Sequence, residues 1–181
     1  MPASNLETNL RQAFERDLPH RIERVHQLTY QKIIGGHYFA AASTQCLELY
    51  RDGYMLGCIM CSQSLLEAML KFVAKRNGLP HKKDIEDLIK DIRARALLSE
   101  DAVAAAEIAW RHRNDFHHLN PGVASIHLAD KARECVEATC AVENDIFGAT
   151  FDKGVLIASK PLYWDMGANG IAPVFLRQLD V

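Results

Sequence analysis

The sequence predicts an all-α protein, an up-and-down helical bundle whose antiparallel neighbours are joined by short turns. Three observations carry this. Apolar residues recur at helical rather than strand spacing in almost every segment. The stretch from Tyr54 to Asn77 is apolar nearly all round (Met55, Leu56, Ile59, Met60, Leu65, Leu66, Met69, Leu70, Phe72, Val73), which suits a helix at the centre of a bundle. The breaks between segments are brief, at Asp52-Gly53, Gly78 with Pro80, and Asn120-Pro121-Gly122.

The elements follow in order. Ser4 with Glu7 makes a capping-box pattern ahead of Leu6, Leu10, Ala13 and Phe14, and Pro19 is expected to interrupt that helix. Ile22, Val25, Leu28 and Ile33 mark a second helix, stopped by Gly35-Gly36. A third starts at about His37, carries Phe39, Ser43, Cys46, Leu47 and Tyr50 on one side, and ends near Asp52-Gly53. After the central helix, Ile85, Leu88, Ile89, Ile92 and Ala96 give an amphipathic segment with charges opposite. Ser99 caps a helix expected to run from Ala102 to His118. Leu128, Ala132, Cys135, Val136, Thr139, Val142 and Ile146 mark a final long one. Residues 152–181 change character: Gly154-Val155-Leu156-Ile157-Ala158 and Pro173-Val174-Phe175-Leu176 read as short strands or as an extended tail. The expected organisation is a helical extension over 1–36, a bundle over 37–151 and an irregular or β tail over 152–181.

Hydrophobic content of 49% and charged content of 24% are those of an ordinary globule able to bury a core. A net charge of −2 gives no global attraction for nucleic acid, so any RNA contact is local. Met1-Pro2-Ala3-Ser4-Asn5 lacks a secretory pattern, and no run is expected to reach membrane-spanning length. The odd count of five cysteines suits a reducing compartment, and a cytoplasmic location without membrane contact is expected. The chain carries no Gly-rich phosphate loop, serine-hydrolase elbow or aromatic RNA-binding sheet motif.

Chemistry concentrates in Trp110-Arg111-His112-Arg113-Asn114-Asp115-Phe116-His117-His118. On a continuous helix Arg113 falls in line with Ala102, Ala106, Ala109 and Phe116, an apolar stripe. A guanidinium cannot shed its charge, so there it needs an acid or an anion. Glu67, enclosed by Leu65, Leu66, Ala68, Met69 and Leu70, is the expected acid. Histidine trades protons near neutral pH, and a fixed cation beside a titratable base is the minimum for cleaving a phosphodiester. Pairing Glu67 with Arg113 is equally sensible as plain charge neutralisation.

The order of elements resembles the HEPN superfamily of small helical-bundle domains. The matching pieces are the helix pair around Tyr50-Arg51-Asp52-Gly53-Tyr54, the acid in Leu66-Glu67-Ala68, and Arg113-Asn114 followed by His118 after four intervening residues. The resemblance covers roughly 37–151. It implies a metal-independent endoribonuclease, often a toxin or anti-phage effector, with no cofactor and active as a homodimer whose two motifs face one cleft. In that reading His118 moves protons, Arg113 stabilises phosphorane charge, Asn114 orients the histidine or a phosphate oxygen, and Glu67 holds Arg113. Arg111 with His112 and His117 also satisfies the spacing, so His117 and Arg111 are additional candidates. Members silenced by adenylylation carry a tyrosine two residues after the histidine, where this chain has Asn120. The implied partners are an RNA substrate and an antitoxin or regulatory protein. The alternative is a non-catalytic HEPN-like module that binds a nucleotide or a partner protein.

Two lesser signals remain. Cys58-Ile-Met-Cys61 sits in an apolar helix and reads as buried reduced thiols; a zinc site would have to recruit Cys135 and Cys140. Lys71, Lys75, Arg76, Lys82 and Lys83 form a positive run, either a solvated helix end or a set of RNA phosphate contacts.

Overall fold

Which apolar surfaces need covering decides the architecture. The computed structural model describes residues 3–80, 84–165, 167, 173–177 and 179. Helices are α1 (Ala3–Gln27), α2 (Ala40–Arg51), α3 (Met55–Arg76), α4 (Ile85–Ala94), α5 (Glu100–Trp110), α6 (Arg113–His118) and α7 (Leu128–Phe147). Among the described residues, four short strands accompany them: β1 (Ile33–Gly35), β2 (Ala149–Asp152), β3 (Val155–Ala158) and β4 (Val174–Leu176). The protein is an all-α bundle with a short strand-bearing tail.

Being apolar on every side, α3 takes the centre, against α2, α4, α5, α6 and above all α7. Its Cys58, Ile59, Leu66, Met69, Leu70 and Val73 lie in one core with Leu47, Leu88, Ile92, Val103, Phe116, Val136 and Ile146. Contrary to the expectation that no run is membrane-spanning, α3 is long and apolar enough to cross a membrane by length and composition. Ten of its residues are instead buried inside the bundle. The predicted bounds of α2, α3, α4 and α7 hold to within a turn. Asp84 caps α4 by accepting from Glu86 N at 2.9 Å, and Gly78 leaves α3 at φ +68°.

Three further expectations are corrected. Pro19 does not interrupt α1, which runs unbroken through it. The ring deletes one backbone hydrogen bond, and the turns beyond are tied down by Arg24 Nε to Arg51 O (2.7 Å) and Arg21 to Asp52 (3.1 Å). No second helix reaches Gly35. Ile33–Gly35 is β1, antiparallel to β4 with Ile34 opposite Phe175. The glycines serve close approach there: a Cβ on Gly35 would lie 2.9 Å from the Trp164 ring, and one on Gly36 2.9 Å from Pro173. Finally, the helix expected from Ala102 to His118 breaks at Arg111-His112.

The tail reading resolves into strands. β2 and β3 form a hairpin whose two-residue loop, Lys153-Gly154, has positive φ at both positions (49° and 81°) as a type I′ turn demands. β4 carries the chain to Arg177, whose buried guanidinium bonds Glu143 of α7 and Ser43 of α2, and donates to Gln31 O at 3.0 Å. The Glu143 carboxylate also accepts from Ser43 Oγ at 2.6 Å and lies 3.2 Å from His37 Nε2, whose ring stacks on Phe147. Burial pushes the Glu143 carboxyl up, but His37, Arg177 and Ser43 outweigh it and hold the group below the ordinary carboxylate range.

Removing either partner leaves a buried charge uncompensated. Arg177→Met is expected to cost about 3–5 kcal/mol in urea unfolding, and Arg177→Met with Glu143→Leu to recover most of it. Because Glu143 is depressed in the folded state, its contribution is present above the unfolded value of 4.5 and is lost as pH falls below it. The melting temperature of the wild type should therefore drop on acidification below that point more steeply than that of the double variant.

Candidate active site

The site originates in how α5 ends. A helix leaves its last carbonyls without backbone partners, and here two neighbouring helices take them. Gln63 of α3, fully buried, donates from Nε2 to Ala109 O at 2.8 Å, and Lys131 of α7 donates from Nζ to Ile108 O at 2.8 Å. Arg111 then turns extended (φ −56°, ψ 134°) and His112 enters the left-handed region (φ 64°, ψ 15°). Asp115 steadies the turn: it accepts from Asn120 Nδ2 at 3.0 Å and lies 3.2 Å from His112 Nδ1. Those two contacts, Asn120 first, hold its carboxyl below the ordinary range. A short α6 restarts at Arg113 and packs on α3 through the buried Phe116.

The break moves Arg113 off the apolar stripe. Ala102, Ala106, Ala109 and Phe116 are buried as predicted, but the Arg113 side chain is 31% exposed and that of Glu67 is 24% exposed. Their closest approach is 3.7 Å, from Arg113 Nη2 to Glu67 Oε2. The Arg113 guanidinium lies 5.4 Å from the Trp110 ring centroid and donates to Asn114 Oδ1 at 3.3 Å. The other oxygen of Glu67 takes Lys71 Nζ at 2.5 Å. One carboxylate thus serves two cations, and the cluster keeps a net positive charge at a half-exposed position.

The structure brings together Glu67, Lys71, Arg113, Asn114 and His117. Four residues after Arg113, His117 shares its face of α6. Burial, the Arg113 charge and His118 lower its pKa against the opposing pull of Glu67. Its Nε2 is buried without a hydrogen-bond partner, at the end of an open, largely apolar cavity of about 740 Å³ between α2 and α3. Arg111, Arg113 and Asn114 line a different hollow of about 510 Å³ on the α4–α5 side, with Trp110 and Lys90. α6 contributes Arg113, Asn114 and Asp115 to one hollow and His117 to the other. His118, the motif histidine, is exposed and lines neither.

Of the positive run, Lys71 belongs to the site and Lys75 is exposed one turn further along α3. Arg76 is turned to the tail, bonded to Asp165 at 2.6 Å and placed over Phe72. Lys82 and Lys83 lie outside the described residues. Cys46, Cys58, Cys135 and Cys140 are buried and Cys61 is exposed. Burial pushes the Cys46, Cys135 and Cys140 thiols up to about 12 and raises Cys58 as well. Among the described residues no group of three or more Cys, His, Asp or Glu is arranged to hold a metal. Gln63 escaped the sequence reading, and Trp110 entered it only as the first residue of the motif stretch. A glutamine inside the most apolar helix was a visible signal for the first, and the three-residue spacing from Arg113 for the second.

No family model, curated protein or solved structure matches the chain.

The half-exposed ion pair is expected to be weak. Glu67→Ala should lower unfolding stability by no more than about 1 kcal/mol, whereas Gln63→Leu, which strands the buried Ala109 carbonyl, should cost about 1–3 kcal/mol. In NMR titrations His117 should titrate below the ordinary value of 6.5, and Arg113→Ala should raise its midpoint.

Proposed function

We propose that this protein is a metal-independent endoribonuclease that cleaves RNA by attack of the ribose 2′-hydroxyl. The observation that carries the proposal is the cation cluster at the start of α6: Arg113, steadied by Glu67 and Trp110, with His117 one turn on and His118 beside it. The resemblance of Arg113-Asn114 and His118 to the HEPN motif supports the same reading.

The chemistry follows from the protonation states. A general base must be neutral at working pH, and burial together with Arg113 favours the neutral form of His117. His117 takes the 2′-hydroxyl proton, the 2′-oxygen attacks phosphorus, and the bond to the departing 5′-oxygen breaks. His118, exposed at the end of α6, protonates that oxygen. The products are a 2′,3′-cyclic phosphate and a 5′-hydroxyl. Arg113 stabilises the charge that builds on the phosphorane oxygens. Glu67 and Asn114 position Arg113 without touching substrate, and Lys71 and Lys75 offer phosphate contacts along α3. A toxin or phage-defence role, with a restraining partner protein, is the setting we infer from the resemblance. Both proton carriers come from one chain, so a second copy bears on assembly rather than on completing the chemistry.

Purified protein in chelator should cut total RNA or tRNA and leave cyclic-phosphate ends. Arg113→Ala should slow cleavage about 10²–10³-fold, and His117→Ala or His118→Ala about 10²–10⁴-fold each, with melting curves close to wild type. Loss with His118→Ala alone would make it the sole proton carrier. Wild type as inert as the variants would refute the enzyme and leave the nucleotide- or protein-binding module.

A further inference from the structure

α1 carries apolar surface that its own bundle does not cover. Every residue from Asn5 to Arg16 is exposed, and only from Asp17 onward do side chains become half-buried against the rest of the chain. Along this helix Leu6, Leu10, Phe14, Leu18 and Ile22 recur every four residues and are 55%, 62%, 50%, 39% and 49% exposed. An i, i+4 row forms a ridge inclined to the helix axis, the ridge that interdigitates with a like ridge in the commonest class of helix packing. Phe14, Leu18, Ile22 and Val25 also border an open groove of about 410 Å³ whose far wall holds Arg51 and Leu179. A free-standing helical stretch of a dozen residues is marginal in water by itself, so the first half of α1 calls for a partner along this ridge.

The pattern identifies that partner. The row is symmetric about Phe14: Leu10 and Leu18 stand four residues to either side, Leu6 and Ile22 eight. An antiparallel copy with its two-fold axis at Phe14 sets Phe14 against Phe14, Leu10 level with Leu18, and Leu6 level with Ile22. The same register places Glu7 level with Arg21 and Arg11 level with Asp17 of the other copy, and no like charges share a level. Glu7, Glu15, Asp17 and Glu23 balance Arg11, Arg16, Arg21 and Arg24, so α1 has no net charge to repel its own kind. An isologous contact of this sort closes on itself.

We propose that α1 is a homodimerisation element, in which the Leu6–Ile22 ridges of two chains cross antiparallel at Phe14 and the first half of each helix fills the groove beside Leu18 and Ile22 of the other. The interface is independent of the ribonuclease reading, because no residue of the α6 cluster lies on it.

Light scattering on the full chain at tens of micromolar should give twice the protomer mass of 20.3 kDa, and Leu10→Glu with Leu18→Glu should return the mass to 20.3 kDa. An unchanged near-ultraviolet spectrum of Trp110 and Trp164 would show that the variant's bundle is intact. In a Cys61→Ser background, Phe14→Cys should form an intermolecular disulfide readily. Leu10→Cys should not, since antiparallel pairing holds the two copies of that position eight residues, about 12 Å, apart. A monomeric wild type, a double variant that stays dimeric with its bundle intact, or faster cross-linking at Leu10→Cys than at Phe14→Cys would each overturn the proposal. The first of these is also the result expected if the ridge serves a different protein.

Discussion

Everything distinctive about this bundle depends on how α5 is brought to a stop. The amide of Gln63 and the ammonium of Lys131 take the carbonyls of Ala109 and Ile108, which a continuing helix would have offered to its own next turn. Both donors are buried, and satisfying the Ala109 carbonyl elsewhere would leave the Gln63 amide unpaired in the core, while Lys131 would keep only Glu134. That mutual dependence makes the break part of the core rather than a frayed end. It allows α6 to restart, seat Phe116 inside and carry Arg113 to the edge of the hollow on the α4–α5 side.

A second constraint is the division of charge between interior and surface. Glu143 and Arg177 are fully desolvated and depend on one another, on Ser43 and on His37. They fasten the strand-bearing tail to α2 and α7 across long stretches of chain. Glu67 and Arg113 are only partly withdrawn from water. A carboxylate shared between Lys71 and Arg113 neutralises neither, and a partly hydrated guanidinium stays available to an anion. The buried pair is suited to holding structure and the half-exposed one to meeting a ligand, by the same electrostatics at different depth.

The central helix, the amphipathic α4 and the long α7 were legible in the sequence, because their apolar spacing reports directly on burial. So were the motif residues, whose chemistry stands out against alanines and leucines. The break inside the motif was not. Glu100 to His118 has helical periodicity throughout, and nothing local marks Arg111-His112 as a turn; the cause lies at Gln63 and Lys131, far away in the chain. The depth of the Glu67–Arg113 pair was not legible for the same reason, since the helix that would set it does not continue. At the other end, Pro19 suggested a stop that the ties of Arg21 and Arg24 to α2 override.

By itself, then, the sequence determined an all-α bundle, the identity of its core helix and the apolar faces of α4 and α7. All of these follow from side-chain polarity and its period along the chain. Tertiary structure alone decided where the helix begun at Glu100 breaks, how far the ion pair sits from water, and that β1 pairs with β4. Those outcomes turn on contacts between residues distant in sequence, and periodicity carries no record of them.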